Sequence, residues 1–346
     1  MTKHEKYIKR CIELAGNGIG NVSPNPMVGS VIVFNDKIIG EGYHCKFGEA
    51  HAEVNAINSV KDKELLKKST IYVSLEPCAH VGKTPACADL IIKMQIPEVV
   101  IGSVDPYFEV DGKGIKKLMN SSVNVVSGIL EKECKFLNRR FYTFHTKKRP
   151  YIILKWAQTF DGFIDYSRKP GTDIGPAWIT NEYCKTLVHK WRTEEDAILA
   201  GKNTVILDNP QLTARNWYGK DPVRICIDKM CELKSNYNIF NSNASVIVVN
   251  SIENLVKNNI KYVKINFSEN ILPQLMEILY DENIQSVIVE GGTKTLNEFI
   301  ENNLWDEARV FYGSKEFKTG VKAPIFERKE SLSEKYGDSE LKIYYN

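Results

Sequence analysis

Short β-branched runs recur along this chain with helix-length segments between them, and that alternation limits the fold more than any other feature. SVIVF (30–34), TIYVSL (70–75), VVIGSVD (99–105) and VNVVSGI (123–129) occupy the first half. YIILKWAQ (151–158), AILAG (197–201), RICID (224–228), SVIVVN (245–250) and SVIVEGG (286–292) occupy the second. Runs of this kind suit strands covered on both faces, and the helices between them supply the cover. The expected class is α/β.

Between the strands, residues 3–16 carry Tyr7, Ile8, Cys11, Ile12, Leu14 and Ala15 at helical spacing, with Gly16 and Gly18 as the stop. Asn35-Asp36 joins SVIVF to KIIGEGY as a hairpin. HAEVNAINSV, TPACADLIIKMQI (with Thr84 as N-cap and Pro85 in the first turn), a segment around 112–120 and TKTLNEFIENN read as helices. TKKRP (146–150) is polar, basic and ends in proline, so the domain boundary is placed there, giving domains 1–146 and 150–346. A chain of 346 residues has room for two domains.

Composition narrows the function classes. The formal net charge is +3, too small to argue for nucleic acid as an obligate partner, though local Arg and Lys still suit a phosphorylated small molecule. No apolar run reaches the roughly 18–20 residues of a membrane span, and MTKHEKYIKRCIELAG has no apolar signal core. A cytoplasmic protein is expected. Its eight cysteines are too sparse for a disulfide framework, so those that matter should bind metal or do chemistry.

Three stretches supply such chemistry. His51 and Glu53 open a helix, Cys78 follows a strand in LEPC, and Cys87 sits in the first turn of the next helix. One imidazole and two thiolates are ligands that Zn²⁺ prefers, and three protein ligands leave a fourth position for water. A helix start favours thiolate over thiol. Glu53 is placed to take a proton from the activated water and pass it to a leaving amine, the division of labour in zinc nucleobase deaminases. A structural zinc domain is the competing reading, and it needs a fourth ligand. Cys45 could supply one, but a pocket wall for Cys45 and a substrate contact for His44 fit better. A deaminase acting on RNA would need a basic stripe and stacking aromatics, which the near-neutral charge opposes.

The second half says less by residue type alone. SVIVEGG followed by TKTLNEFI is a strand, a Gly-Gly turn and a helix, which suits a close backbone approach to a ligand or simply a turn. Lys155 is unusual within the apolar strand ILKWA.

HAEVNAI together with SLEPCAHVGKTPAC, SPNPMVGSVIV and GEGYH resembles the bifunctional riboflavin-biosynthesis deaminase/reductase family. The eight residues AHVGKTPA between the cysteines, in place of the usual two, match this family and not cytidine or tRNA-editing deaminases. LKWAQTFDG, AWIT, LDNPQLTAR and VEGG resemble its reductase domain. The resemblance implies an N-terminal three-layer α/β/α sandwich similar to cytidine deaminase and a C-terminal α/β domain similar to dihydrofolate reductase. It implies zinc-dependent deamination of a phosphoribosylamino diaminopyrimidinone, then NADPH-dependent reduction of the ribosyl chain to ribityl. It places Asn25, His44, His80 and Lys83 at the deaminase pocket. It places Ala157, Trp178, Thr204, Asp208 and Gly292, Thr293, Lys294, Thr295 and Leu296 at the dinucleotide. Lys229, after the strand RICID, is placed either to meet a 2′-phosphate of that cofactor or as a plain surface residue. Arg192, Leu212, Arg215 and Glu290 fall at the reductase substrate, with Pro176 standing where a small hydroxyl residue often makes contact. Lys155 and Asp208 lie where hydride transfer is expected. Between Asp161 and Trp178 the chain is longer and more polar than the family pattern. A homo-oligomer without nucleic-acid or membrane partners is the expected assembly.

Overall fold

The structure is a computed structural model that describes residues 1–79, 86–107, 112–168, 174–241 and 244–346. The chain divides into two compact units, Met1–Lys148 and Arg149–Asn346.

In the first unit, α1 (Lys3–Gly16) opens with a reciprocal cap between Thr2 and Glu5. β1 (Gly29–Phe34) and β2 (Lys37–Tyr43) form the hairpin, with Asn35 and Asp36 at φ 48° and 60° in the turn. Next come α2 (Ala52–Ser59), β3 (Thr70–Leu75), α3 (Cys87–Lys93), β4 (Glu98–Ser103), α4 (Lys113–Asn120), β5 (Asn124–Ser127), α5 (Glu131–Leu137) and α6 (Arg139–Lys147). The sheet order is β2-β1-β3-β4-β5, antiparallel as far as β3 and parallel beyond it.

Period-2 alternation builds the three layers. Ile32, Ile71, Val73, Val99 and Ile101 point to one face, against Ala56 and Ile57 of α2 and Ala88 and Ile91 of α3. Val31, Val33, Tyr72 and Val100 point to the other, against Tyr7, Ile8 and Cys11 of α1 and Cys134 of α5. Gly42 lets α2 lie directly on β2, since a methyl group there would sit 2.4 Å from the Ala56 nitrogen. That contact fixes the height at which His51 and Glu53 stand over the sheet edge.

Two local expectations change. The cap of α3 is Ala86, not Thr84; Thr84 and Pro85 lie outside the described residues. Alanine has no side-chain acceptor, and the first two N–H groups of the helix instead reach Cys78: Cys87 N–H donates to its Sγ at 3.3 Å and Ala88 N–H to its carbonyl at 3.1 Å. Thr146 and Lys147, read from the sequence as linker, form the last turn of α6.

The second unit comprises β6 (Tyr151–Gln158), β7 (Phe163–Tyr166), α7 (Glu182–Glu194), β8 (Ala197–Gly201), α8 (Lys202–Asp208), β9 (Val223–Ile227), β10 (Val246–Asn250), β11 (Leu255–Lys257) and β12 (Ile260–Lys264). It continues with α9 (Ile271–Asp281), β13 (Ser286–Val289), α10 (Thr293–Glu301), β14 (Glu307–Tyr312), β15 (Gly320–Lys322), β16 (Leu332–Tyr336) and β17 (Ser339–Tyr345). Its main sheet runs β11-β12-β10-β9-β8-β13-β6-β14-β17-β16, parallel from β12 to β14 with antiparallel additions at both ends. Leu275 and Leu279 of α9 and Phe299 of α10 cover one face of the sheet, over Leu154, Leu199 and Val289. Val188 and Trp191 of α7 and Val205 of α8 cover the other, over Ile153, Ile198 and Ile288. Gly201 and Glu290 therefore lie at the carboxyl ends of the parallel strands β8 and β13, where α/β sheets place ligands, and Lys155 of β6 is level with Glu290.

Candidate active sites

In the first unit, His51, the N-cap of α2, presents Nδ1 to two sulfurs: Cys87 Sγ at 3.3 Å and Cys78 Sγ at 3.7 Å. The three ligand atoms all lie within 4.8 Å of one another. Tetrahedral zinc with Zn–N of about 2.0 Å and Zn–S of about 2.3 Å separates nitrogen and sulfur ligands by roughly 3.5 Å, so the donor set fits zinc in chemistry and spacing. The Cys87 thiol and N–H and the His51 imidazole hold the Cys78 thiol well below its ordinary range, as a thiolate. Cys45 stands outside the group, its thiol turned to the Tyr43 carbonyl at 3.5 Å.

Glu53 lies in the first turn of α2 and is buried beside the ligands. Burial, and then the Cys78 charge, push its carboxyl up to about 7, with His51 opposing. A carboxyl poised there both accepts and releases a proton near neutrality. His44 packs edge-on to His51, ring centroids 5.3 Å apart. The Ala50 carbonyl, 3.1 Å from His44 Nδ1, can only accept, so Nδ1 carries the proton and Nε2 accepts from the Asn25 amide, also at 3.1 Å. Burial lowers the His44 pKa and keeps this neutral tautomer. His44 and Asn25 thus form one fixed polar wall beside the metal ligands. His80 and Lys83 lie outside the described residues.

In the second unit, Glu290 leaves β13 and accepts from Arg192 Nη2 at 2.8 Å, with Lys155 Nζ at 3.8 Å from the same oxygen. Burial alone would raise the Glu290 carboxyl; Arg192 and Lys155 outweigh it and hold it down at about 2. Burial pulls the Lys155 ammonium below the lysine range, Arg192 adds to that, and Glu290 opposes. Arg192 also donates to the Thr213 carbonyl at 3.1 Å. Arg215 is exposed and close enough to Arg192 for their charges to repel. Leu212 is a core residue held at φ 56°.

Asp208, by contrast, is not joined to Lys155 by any hydrogen bond or ion pair among the described residues. It accepts from Arg168 Nη2 at 2.8 Å, and Arg168 Nε binds Asp165 at 2.7 Å, which ties the polar loop after β7 to the end of α8. Lys155 and Asp208 thus belong to two separate ion-pair groups, Lys155 with Glu290 and Asp208 with Arg168.

Of the residues expected at the dinucleotide, Thr204 and Asp208 share one face of α8, one turn apart. Gly292 caps α10, and methyl groups on Gly201 or Gly291 would strike Thr295. Thr293 donates to the Lys322 carbonyl. Lys294, Pro176 and Lys229 are exposed, Lys229 over the Phe267 ring at 5.7 Å. Trp178 is half exposed, with Lys185 4.5 Å from its ring, and Ala157 pairs with Phe311 inside the sheet. Leu296 is buried in the core, and its N–H donates to the Gly292 carbonyl at 3.2 Å.

Residues that the sequence reading passed over complete both places. His189 lies one helical turn before Arg192, with its Nδ1 buried and unpartnered beside Arg192 and Glu290. The available signal was the three-residue spacing of His189 and Arg192 on one helix face. Arg168 left no such signal, since its partner Asp208 is 40 residues away.

Comparisons with known proteins agree with this geometry. Residues 1–103 match the cytidine and deoxycytidylate deaminase zinc-binding region, and residues 150–329 match the RibD C-terminal domain. The riboflavin biosynthesis protein RibD of Aquifex aeolicus is 39% identical over 327 residues, covering 92% of this chain and 88% of the relative. That of Bacillus amyloliquefaciens is 36% identical, covering 89% and 84%. A crystal structure from Thermotoga maritima, described as a diaminohydroxyphosphoribosylaminopyrimidine deaminase/5-amino-6-(5-phosphoribosylamino)uracil reductase, is 38% identical with a TM-score of 0.88, covering 99% of this chain and 98% of that one. Acinetobacter baumannii RibD is 29% identical, also with a TM-score of 0.88. With a zinc-type deaminase unit preceding a dihydrofolate-reductase-like one, the chain belongs to the RibD family of bifunctional riboflavin-biosynthesis deaminase/reductases.

Proposed function

We propose that Met1–Lys148 hydrolyses the exocyclic amine of 2,5-diamino-6-(5-phosphoribosylamino)pyrimidin-4(3H)-one, and that Arg149–Asn346 then reduces the ribosyl chain to ribityl with NADPH, giving 5-amino-6-(5-phosphoribitylamino)uracil. The observation that carries the reading is the convergence of His51, Cys78 and Cys87 with Glu53 buried beside them.

Zinc, when bound, supplies the Lewis acidity that makes water a nucleophile at neutral pH. The chain does the rest. His51 and the two cysteines hold the metal with three ligands. Glu53 removes one proton from the attacking water and delivers it to the departing amine, so water is consumed and ammonia released. Asn25 and His44 present a preset amide and imidazole to the ring. NADPH, when bound, supplies the hydride for the second step. Gly292, where a methyl group would meet nothing nearer than Thr204 Oγ1 at 3.9 Å, leaves backbone open at the start of α10, as a dinucleotide phosphate requires. Arg215 takes the substrate phosphate, and Lys155 stands level with Glu290 as the cation nearest the reacting chain.

Purified protein is to be incubated with the diaminopyrimidine substrate, with and without NADPH, following ammonia and NADPH separately. Ammonia release without NADPH is expected, with NADPH loss only after it. Glu53→Gln should keep its zinc and lose ammonia release by about 10²–10⁴-fold. Zinc-loaded wild type that releases no ammonia sinks the proposal.

A further inference from the structure

The glutamate of SLEPC has no part in the chemistry above, yet it is almost fully buried two residues before Cys78. Its carboxylate accepts from three backbone N–H groups beyond β4: Gly112 at 3.0 Å, Ile115 at 3.1 Å and Asp105 at 3.4 Å. Gly112 is the N-cap of α4, stands at φ 72° and has no side chain with which to cap. The first N–H groups of a helix need outside acceptors, and a carboxylate there also meets the favourable end of the helix dipole. Glu76 therefore caps α4 from a different segment of the chain. The approach is close, since a methyl group on Gly114 would lie 2.0 Å from the Pro77 carbonyl oxygen.

The main chain is fixed at the same point. Glu76 N–H donates to the Ser103 carbonyl at 2.9 Å, extending the β3–β4 pairing. On its other side, Cys78 is held by the two N–H groups at the start of α3. The Cys78 sulfur is thus suspended between two helix N-termini, one reached through its own atoms and the other through Glu76.

We infer that Glu76 is a positioning residue of the metal centre: by capping α4 it fastens the Glu76–Pro77–Cys78 turn, so the order of the α4 N-terminus and the placement of the Cys78 sulfur are coupled. The inference rests on the zinc reading of His51, Cys78 and Cys87. A glutamine in its place keeps one acceptor oxygen but aims an NH2 group at an N–H donor, which loosens the turn without leaving a cavity. Ile8→Val is the control. It trims the core on the opposite face of the sheet and lowers stability without touching the turn.

Metal-free wild type, Glu76→Gln, Glu76→Ala and Ile8→Val are titrated with Co²⁺ against a chelator, reading the thiolate-to-cobalt absorption. Glu76→Gln is expected to bind roughly 10–100-fold more weakly, the usual effect of removing a support behind a ligand, while Ile8→Val keeps wild-type affinity despite its lower Tm. In wild type alone, Co²⁺ loading should slow hydrogen exchange at the Gly112 and Ile115 N–H groups, a measurement that decides the matter if neither Glu76 variant folds. Wild-type affinity in Glu76→Gln, or unchanged exchange at Gly112 and Ile115, overturns the coupling. A wild type that takes up no Co²⁺ at all removes the zinc reading, and the inference with it.

Discussion

The two units solve opposite problems of specification. In the first, three atoms must touch one ion, so His51 Nδ1 and the two sulfurs are held within 4.8 Å by two helix starts and a clamped turn. In the second, the polar groups are spread along a strand edge, and around Glu290 the buried His189 Nδ1, Arg192 Nε and Glu290 Oε1 have no partner among the described residues. A metal site is complete once its ligands converge. On the proposed reading, a site for a large phosphorylated substrate and a dinucleotide would leave hydrogen-bonding capacity open for those ligands to take up. The first site should therefore fail all at once, and the second by degrees.

Metal removal is the largest test of that contrast. Dialysis against a chelator should reduce ammonia release to the blank. Reduction of separately supplied deaminated substrate should stay within about twofold, since among the described residues His51, Cys78 and Cys87 all belong to the first unit. Parallel loss of both activities would show that the units are not separable in this way. Next in size is Lys155→Met, which keeps the aliphatic stem and deletes the charge. It leaves Glu290 with Arg192 alone and should lower the kcat of NADPH oxidation roughly 100-fold, as the loss of one placed cation or donor does. Ammonia release should not change. A loss confined to KM would move Lys155 from the reacting chain to general binding.

How much of this was legible in the sequence follows the same contrast. His51, Glu53, Cys78 and Cys87 stand out because histidine and cysteine at helix starts and strand ends are chemically uncommon. The strands that pack on both faces, such as TIYVSL and SVIVV, are visible from composition alone. β16 is not, because most of its residues are exposed and carry no apolar alternation. Glu76 reads as a turn carboxylate before a proline; its acceptor role depends on Gly112 and Ile115, more than 30 residues on, which no local pattern links to it. His189 and Arg168 are common residue types whose partners are set by tertiary packing. Thr84 was the obvious local choice of cap for α3. The helix starts two residues later than that choice implies, and its first N–H groups reach a sulfur and a carbonyl of Cys78, which no local pattern announces.

Arg215→Ala gives the smallest effect and the finest distinction. Arg192 is buried and already committed to Glu290 and the Thr213 carbonyl. Arg215 is exposed, and no hydrogen bond or ion pair engages it among the described residues, so it is the guanidinium free to meet a phosphate dianion with two parallel donors. Because that phosphate is remote from the reacting carbon, Arg215 should bind ground state and transition state alike. The KM of the reductase step should rise about tenfold, equivalent to about 1.4 kcal/mol, with kcat little changed, and a dephosphorylated analogue should be indifferent to the substitution. An equal penalty on the dephosphorylated analogue would mean that Arg215 acts by shaping Leu212 and Thr213 and not by meeting the phosphate. The phosphate would then fall to Arg192, and the open capacity of the second site would lie deeper, around His189.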